Sequence, residues 1–278
     1  MIAERIYRFP NAAERDPGWL SPSQVVRYMT CPACFEAERI LRIPKPLSIN
    51  LPIGGATHKA VEFMRMERMA QRQVKLNDAI EFAVEHFESE VSVPVDDESG
   101  VELVLDLGST YKSLDQAKDK VADLTRYALP LIAQLDDRRG GVSAVELDLF
   151  NFPQQYPFAF HGRMDVLYGG SGFDPTTATL GGDLKTSKDR QKAPDVYAAI
   201  QLTLYAEHCG VPMVADVVSK TQPPEFHSYD LQASAEQIVH VHQIVLDVAD
   251  GIMAGRFPPR PSYLCNYSHG LPEFRQDS

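Results

Sequence analysis

Cysteine is scarce in this chain, with four in 278 residues. That is too few to staple a protein of this length. Cys31, Cys34, Cys209 and Cys265 are therefore expected as reduced thiols or metal ligands. Long apolar runs are also missing: none approaches the roughly 18 residues of a membrane helix, and the opening MIAERIYRFP has no apolar stretch of the signal-peptide kind. The expectation is a soluble cytoplasmic protein with no membrane contact. Positive charge is in deficit, 27 Lys and Arg against 38 Asp and Glu, for a net charge of −11. Such a balance argues against coating nucleic acid by bulk charge, while leaving room for a local basic groove. There is no GxxxxGK loop, and so no helicase motor within the chain. Internal repeats and low-complexity tracts are absent as well.

What remains is ordinary globular material, 44% hydrophobic and 23% charged, enough for one large domain or two small ones with a substantial core. Ser21 or Ser23 can cap a helix that Pro22 opens and Pro32 breaks or restarts. A single long helix is expected from about Thr57 to Glu90, and a second over 109–138 with Pro130 as a kink. The pattern then switches to period two, predicting strands over 143–150, 158–168 and 178–185. A helix at 194–209, strands near 213–219 and 226–231, and an amphipathic helix over 233–254 complete the order. That order predicts an α/β (α+β) chain with one central sheet. We expect a single domain: a helix and loop over 20–58, a helical insertion or lid over 59–140, a sheet core over 141–232, and a C-terminal helix and tail over 233–278.

Chemistry concentrates on two predicted strands. Asp165 lies in HGRMDVLY, and Asp183 and Lys185 lie in GGDLKTSK. Alternate side chains of a strand share a face, so Asp183 and Lys185 point the same way. If the two strands are neighbours, two carboxylates and an ammonium converge at one end of the sheet. Carboxylates suit Mg²⁺ or Mn²⁺, with positions left for water and a substrate phosphate. A metal so held can activate water for phosphodiester hydrolysis, and Lys185 can orient that water or offset developing charge. The plainer alternative is a solvated ion pair at a strand end. Gly162 allows close approach to the strand, and Glu146 on the preceding strand can add a carboxylate. Gln201 and Tyr205 stand four apart on a predicted helix and share its face. They suit phosphate or base contacts, or a buried polar pair tying helix to sheet.

In order, Ser21-Pro-Ser23 leading to Cys31-Pro32, Gly55-Ala-Thr-His58, Gly162-Arg-Met-Asp165, Asp183-Leu-Lys185-Thr186 and Gln201-Leu-Thr-Leu-Tyr205 resemble the RecB-type branch of the PD-(D/E)XK nucleases. That branch includes the nuclease domains of bacterial recombination helicases and the CRISPR adaptation (Cas4-like) nucleases. The resemblance runs from about residue 20 to 265. It implies a restriction-endonuclease-like core, a central mixed sheet flanked by helices. It further implies that His58, Asp165 and Asp183 bind the divalent metal, helped by the Leu184 carbonyl. Lys185 would be catalytic, and Gln201 and Tyr205 would match the helical pair of the family.

Arg65, Arg68, Arg72 and Lys75 are spaced by three, four and three, and His58, Arg65 and Arg72 are each seven apart. On one continuous helix this stripe would continue the face of His58 and track a DNA backbone. Lys185, Lys188, Arg190 and Lys192 form a second basic cluster. The bland alternative is a solvated helix face.

Many members of the resembled branch carry an iron–sulfur cluster on one N-terminal and three C-terminal cysteines, whereas this tail offers only Cys265. Cys31, Cys34, Cys265 and His269 form a set with spacings acceptable for structural zinc. A histidine-ligated iron–sulfur cluster and no metal at all are the other readings, and Cys209 is expected as a buried thiol.

Together these point to a Mg²⁺- or Mn²⁺-dependent deoxyribonuclease. An exonuclease acting on DNA ends in recombination, repair or phage DNA processing is the main expectation. An endonuclease of the same fold and a non-catalytic DNA-binding module are the alternatives. DNA is the expected partner, with a separate helicase, recombinase or CRISPR component, or further copies of the chain.

Overall fold

The computed structural model describes residues 19–41, 47–92, 105–108, 110–150, 156, 158–170, 175–188 and 196–260. The elements in chain order are β1 (Trp19–Leu20), α1 (Pro22–Thr30), α2 (Pro32–Phe35), a π-helical turn (Glu36–Ile40), β2 (Leu47–Ser48), α3 (Asn50–Met69) and α4 (Leu76–Ser92). They continue with β3 (Leu105–Asp106), α5 (Leu114–Arg138), β4 (Val142–Phe150), β5 (Ala159–Tyr168) and β6 (Leu180–Ser187). The last are α6 (Val196–Cys209), β7 (Met213–Ser219), β8 (Phe226–Leu231) and α7 (Ala235–Met253). The chain divides into two compact units, one of residues 1–45, 148–163 and 233–278, the other of 46–147 and 164–232.

In the first unit, α1 begins with a reciprocal cap. The Gln24 amide donates to Ser21 Oγ at 3.3 Å and the Ser21 amide to Gln24 Oε1 at 2.9 Å, satisfying two N–H groups that a helix end leaves unpaired. Pro22 fits the first turn and Pro32 opens α2, as expected. Cys31 and Cys34 are both fully buried. Cys265 and His269 lie outside the described residues. Val241, Val245, Val248 and Ile252 are the buried stripe of α7, and Tyr28 seats against that helix at Gly251, where a Cβ would come within 2.2 Å of its hydroxyl.

The second unit carries the sheet and the long helices. β5 and β6 are antiparallel, β6 and β7 parallel, and β7 and β8 antiparallel, with β4 beside β5. In the sequence order, α6 lies between the parallel strands β6 and β7, as a crossover requires, and the short link 220–225 suffices for the antiparallel pair β7 and β8. β7 is buried along its whole length, as its MVADVVS sequence fits for a strand covered on both faces. Helices α3, α4 and α5 share a dry core, with Ile53, Val61, Phe87, Leu124 and Ile132 meeting Leu184 of β6 and Val218 of β7.

The long helix expected over Thr57–Glu90 is two helices. α3 ends at Met69 and α4 starts at Leu76, with Gln71 at φ 58°, a left-handed conformation that ends a helix. Both helices bury apolar faces in the same core, so a turn between them is what lets each reach it.

Candidate active site

Three elements of the second unit converge on a polar cluster. β6 supplies Asp183 and Lys185 from one face, as the period of two requires, and sends Leu184 to the other face and the helical core. β5 supplies Asp165. Its Oδ2 accepts the backbone N–H of Leu184 at 2.6 Å, which anchors the carboxylate to the neighbouring strand. α3 supplies His58, whose Nδ1 lies 3.7 Å from the same oxygen. The two expected strands are thus neighbours, and the carboxylates meet.

A fourth element fixes the ammonium. Lys185 Nζ donates to Gln201 Oε1 at 2.9 Å and faces Asp183 Oδ2 at 2.8 Å. The Gln201 amide nitrogen lies 3.2 Å from Asp183 Oδ1 and 3.1 Å from the Tyr205 hydroxyl. Gln201 and Tyr205 are one helical turn apart on α6, so a single face ties that helix to the charged strand.

Glycines let these elements come together. A Cβ on Gly54 would lie 2.5 Å from Thr186 Oγ1, so the absence of one allows α3 to seat against the end of β6. A Cβ on Gly182 would lie 2.8 Å from Val166 Cγ1 and 2.9 Å from Tyr168 Cε2, so the residue before Asp183 must be small.

Burial sets the electrostatics. It pushes the Asp183 carboxyl up to about 6, helped by the like charge of Asp165 and opposed by Lys185. It raises Asp165 as well, against Lys185 and the Leu184 N–H. Burial first, and the Lys185 charge second, lower His58 to about 4, so its imidazole is neutral at physiological pH. Burial works against the Lys185 ammonium too, but Asp183 and Asp165 outweigh it and hold the group above its ordinary value.

This donor set fits a hard divalent cation. Asp183 is 2% exposed, and its Oδ2 has no hydrogen-bond partner among the described residues, only the facing ammonium. That ammonium offsets one of the two buried carboxylates, and Asp165 beside it leaves a negative charge for a further cation to balance. Among the described residues no three His, Cys, Asp or Glu side chains already form a cage. Mg²⁺ does not require one, since one or two carboxylates with waters and substrate phosphates are its usual shell.

Other candidate residues fall elsewhere. Glu146 is on β4 with φ 51°, a strained conformation for glutamate. Lys188 is exposed at the bend after β6, and Arg190 lies outside the described residues. The basic stripe does not hold. Arg72 and Lys75 lie beyond the end of α3 at Met69, so the four side chains are not on one helix face. Arg65 is 2% exposed, its Nε and Nη2 donating to Asp136 at 3.2 and 3.0 Å. Arg68 donates to the Ala133 carbonyl at 3.0 Å and pairs with Asp137, and Arg72 pairs with Glu67 at 2.6 Å.

Arg65 belongs instead to a buried ionic network that patterning did not reveal. Its Nη2 also donates to the Tyr168 hydroxyl at 2.7 Å, and Arg139 Nη1 approaches the same hydroxyl at 3.2 Å. Arg139 pairs bidentately with Asp216 at 2.6 and 2.9 Å and donates to Ser228 Oγ at 2.9 Å. Both guanidinium groups also lie over the Tyr168 ring, 5.6 and 5.2 Å from its centroid. One signal was available: Arg65 follows Val61 and Met64 at helical spacing, which puts it on the apolar face.

A family model described as the PD-(D/E)XK nuclease superfamily matches residues 19–268. Among curated proteins, none matches the sequence. Of the solved structures, a presumed exonuclease from Eubacterium rectale superposes with a TM-score of 0.49 at 13% identity, over 89% of this chain and 85% of that one. SSO0001 superposes with a TM-score of 0.33 at 14% identity, over 55% of this chain and 73% of that one. Likenesses that distant carry no argument here. The family match, by contrast, spans every element that builds the cluster and agrees with a mixed sheet flanked by helices, the restriction-endonuclease-like core. On that match, with Asp165, Asp183 and Lys185 brought together as the motif requires, the chain belongs to the PD-(D/E)XK nuclease superfamily.

Proposed function

We propose that this chain is a Mg²⁺- or Mn²⁺-dependent deoxyribonuclease of the RecB-type branch, an exonuclease that hydrolyses phosphodiester bonds from DNA ends. Membership of a nuclease superfamily makes DNA the substrate class. The observation that carries the reading is the bonded run Lys185–Gln201–Asp183 beside Asp165 and His58.

In this reading Asp165, Asp183, the Leu184 carbonyl and His58 would hold the cation, which would supply polarisation of the phosphoryl oxygen and a more acidic water near neutral pH. Neutral His58 has a lone pair to offer, as ligation needs. Lys185 stays protonated and lies where it can orient the attacking water and offset the charge that builds on phosphorus. The water oxygen would bond to phosphorus and give up a proton to solvent as the bond to the leaving sugar oxygen breaks, and that oxygen would take up a proton from solvent in turn. Gln201 and Tyr205 act as positioning residues, holding Lys185 in its rotamer. Glu146 adds negative charge from β4. Lys188 and Arg190, after the catalytic strand, contact the DNA backbone. For Cys31, Cys34, Cys265 and His269 the readings are no metal, a structural zinc ion or a histidine-ligated iron–sulfur cluster, and metal analysis with an absorbance spectrum of the anaerobically purified protein separates them. The enzyme works in the cytoplasm, alone, as an oligomer or with a separate helicase, recombinase or CRISPR component.

Incubating purified protein with linear and covalently closed circular DNA, in Mg²⁺, Mn²⁺ or chelator, tests the proposal. Metal-dependent loss of linear DNA alone is expected, abolished by Asp183→Ala and by Lys185→Ala. Cutting of closed circles would instead establish an endonuclease. Binding without degradation in any metal would leave a DNA-binding module.

A further inference from the structure

Beside the cluster, where α3 packs against the end of β6, stands a cationic side chain that the hydrolytic chemistry does not use. Thr186 Oγ1 and Lys220 Nζ both approach the bare Cα of Gly54, at 2.5 and 3.8 Å from the point where a Cβ would sit. Lys220 immediately follows β7, and its backbone N–H donates to the Ser187 carbonyl at 2.7 Å. Its ammonium reaches α3 and donates to the Asn50 carbonyl at 2.8 Å. Among the described residues no carboxylate pairs with it. The other nearby charge has the same sign: Lys120 of α5 donates to the Thr221 carbonyl, one residue further along the chain, at 2.9 Å.

Lys120 has the Asp123 carboxylate to offset it, but Lys220 has none among the described residues, and an unpaired, part-buried ammonium is an unfavourable arrangement in the free protein. Burial, and the repulsion of Lys120 second, bring the Lys220 ammonium down to about 8. An anion bound beside Lys220 would relieve it. The position suggests which anion. Gly54 and His58 are four residues apart on α3, on one face and about 6 Å apart along its axis. Thr186 directly follows Lys185 on β6. The Lys220 ammonium is thus about one helical turn from the proposed scissile position.

We propose that Lys220, with the Thr186 hydroxyl and with Lys120 behind it, binds a non-scissile phosphate of the DNA strand next to the one being hydrolysed. This rests on the nuclease reading above and deepens it. Lys220 acts as a positioning residue: it fixes the register of the strand and takes no part in bond breaking.

The test measures binding of a fluorescent single-stranded oligonucleotide across a salt series in Ca²⁺, with strand integrity checked, and hydrolysis of bis(p-nitrophenyl) phosphate in Mn²⁺. That diester has no neighbouring phosphate. Lys220→Gln is expected to weaken oligonucleotide binding about tenfold. It should also reduce the slope of log affinity against log salt by about 0.7, the signature of one lost phosphate contact on a single strand. Its kcat/KM on the small diester should stay within about twofold of wild type. Lys220→Arg should recover most of the binding, and Lys120→Gln should lose less than Lys220→Gln. An unchanged salt slope overturns the proposal, as does an equal loss on the small diester. If Lys220→Gln does not fold, Lys220→Met, which keeps the stem and removes the charge, decides through the same slope. A wild type that binds but cleaves neither substrate removes the nuclease reading and leaves the phosphate site to be judged by its slope. A wild type that neither binds nor cleaves DNA removes both.

Discussion

Two polar clusters lie in the second unit, built partly from the same elements, and they are compensated in opposite ways. α3 contributes His58 to one and Arg65 to the other, and β5 contributes Asp165 and Tyr168. Around Tyr168, two guanidinium groups meet two carboxylates, Asp136 and Asp216, each in a bidentate pair, and the phenol oxygen sits between the arginines. The charges sum to zero. Around Asp183, two carboxylates share one ammonium, the histidine is neutral, and a buried oxygen has no hydrogen bond among the described residues. Buried charge is tolerated where its partners are built in, and it marks a ligand site where they are not.

The sharpest way to break this comparison is to remove one member of each cluster. Asp183→Ala or Lys185→Ala should lower DNA degradation by a factor on the order of 10⁴, close to 5 kcal/mol of transition-state stabilisation. Asp183→Ala should fold normally, because it removes one of two buried carboxylates that share a single ammonium, and the activity of Lys185→Ala is taken per folded molecule. Asp136→Ala should do the reverse. It strands the Arg65 guanidinium in the interior, and losing one partner of a buried pair costs about 3–5 kcal/mol. Unfolding in denaturant should show that loss, while activity per folded molecule should change far less than in the site variants. Equal effects of both kinds of substitution on activity and on stability would erase the distinction.

Gly182→Ala should touch both clusters at once. The new Cβ meets Val166 and Tyr168 at less than 3 Å, and neither side chain has room to withdraw, since both are at most 1% exposed. Overpacking of this kind costs about 1–3 kcal/mol. It should displace Tyr168 from its arginines and β6 from β5, so thermal melting and nuclease activity should fall together. A variant that melts early and retains full activity would show that the two clusters are mechanically independent.

Much of the cluster around Asp183 was legible in the sequence because it rests on local rules. The period of two on β6 puts Asp183 and Lys185 together, and the helical period of α6 does the same for Gln201 and Tyr205. The strands over 213–219 and 226–231 and the capped start of α1 also follow from neighbours in sequence. The ionic network was illegible because its partners are far apart. Arg65 finds Asp136 71 residues away and Tyr168 103 residues away, and charge spacing alone gave it a surface role. The same spacing hid the break between α3 and α4, since Gln71 carries no glycine or proline signal for a left-handed turn. Lys220 was overlooked for a related reason, as it meets α3 only through tertiary contact.

The smallest expected effect concerns pH, and it separates the clusters without abolishing either. In chelator, Asp183 titrates near pH 6 when folded and near 4 when unfolded, so the folded state holds the extra proton between those values. Stability from this group therefore falls as pH rises from about 4 to about 6. Asp165 is shifted in the same direction. His58 works the other way. Its folded value near 4 lies below its unfolded value near 6.5, so the unfolded state holds the extra proton and stability rises with pH over that window. Asp183→Asn should then gain stability relative to wild type as pH rises through 4–6, and His58→Gln should lose it, by at most about 2–3 kcal/mol each. Carboxylates elsewhere titrate equally in all three proteins, so the differences between unfolding curves isolate the site. Saturating Mn²⁺ should flatten the Asp183→Asn difference near pH 6 by stabilising wild type in its ionised form. If the three curves run parallel in chelator, the carboxylates do not carry the strained, uncompensated charge that distinguishes this cluster from the network around Tyr168.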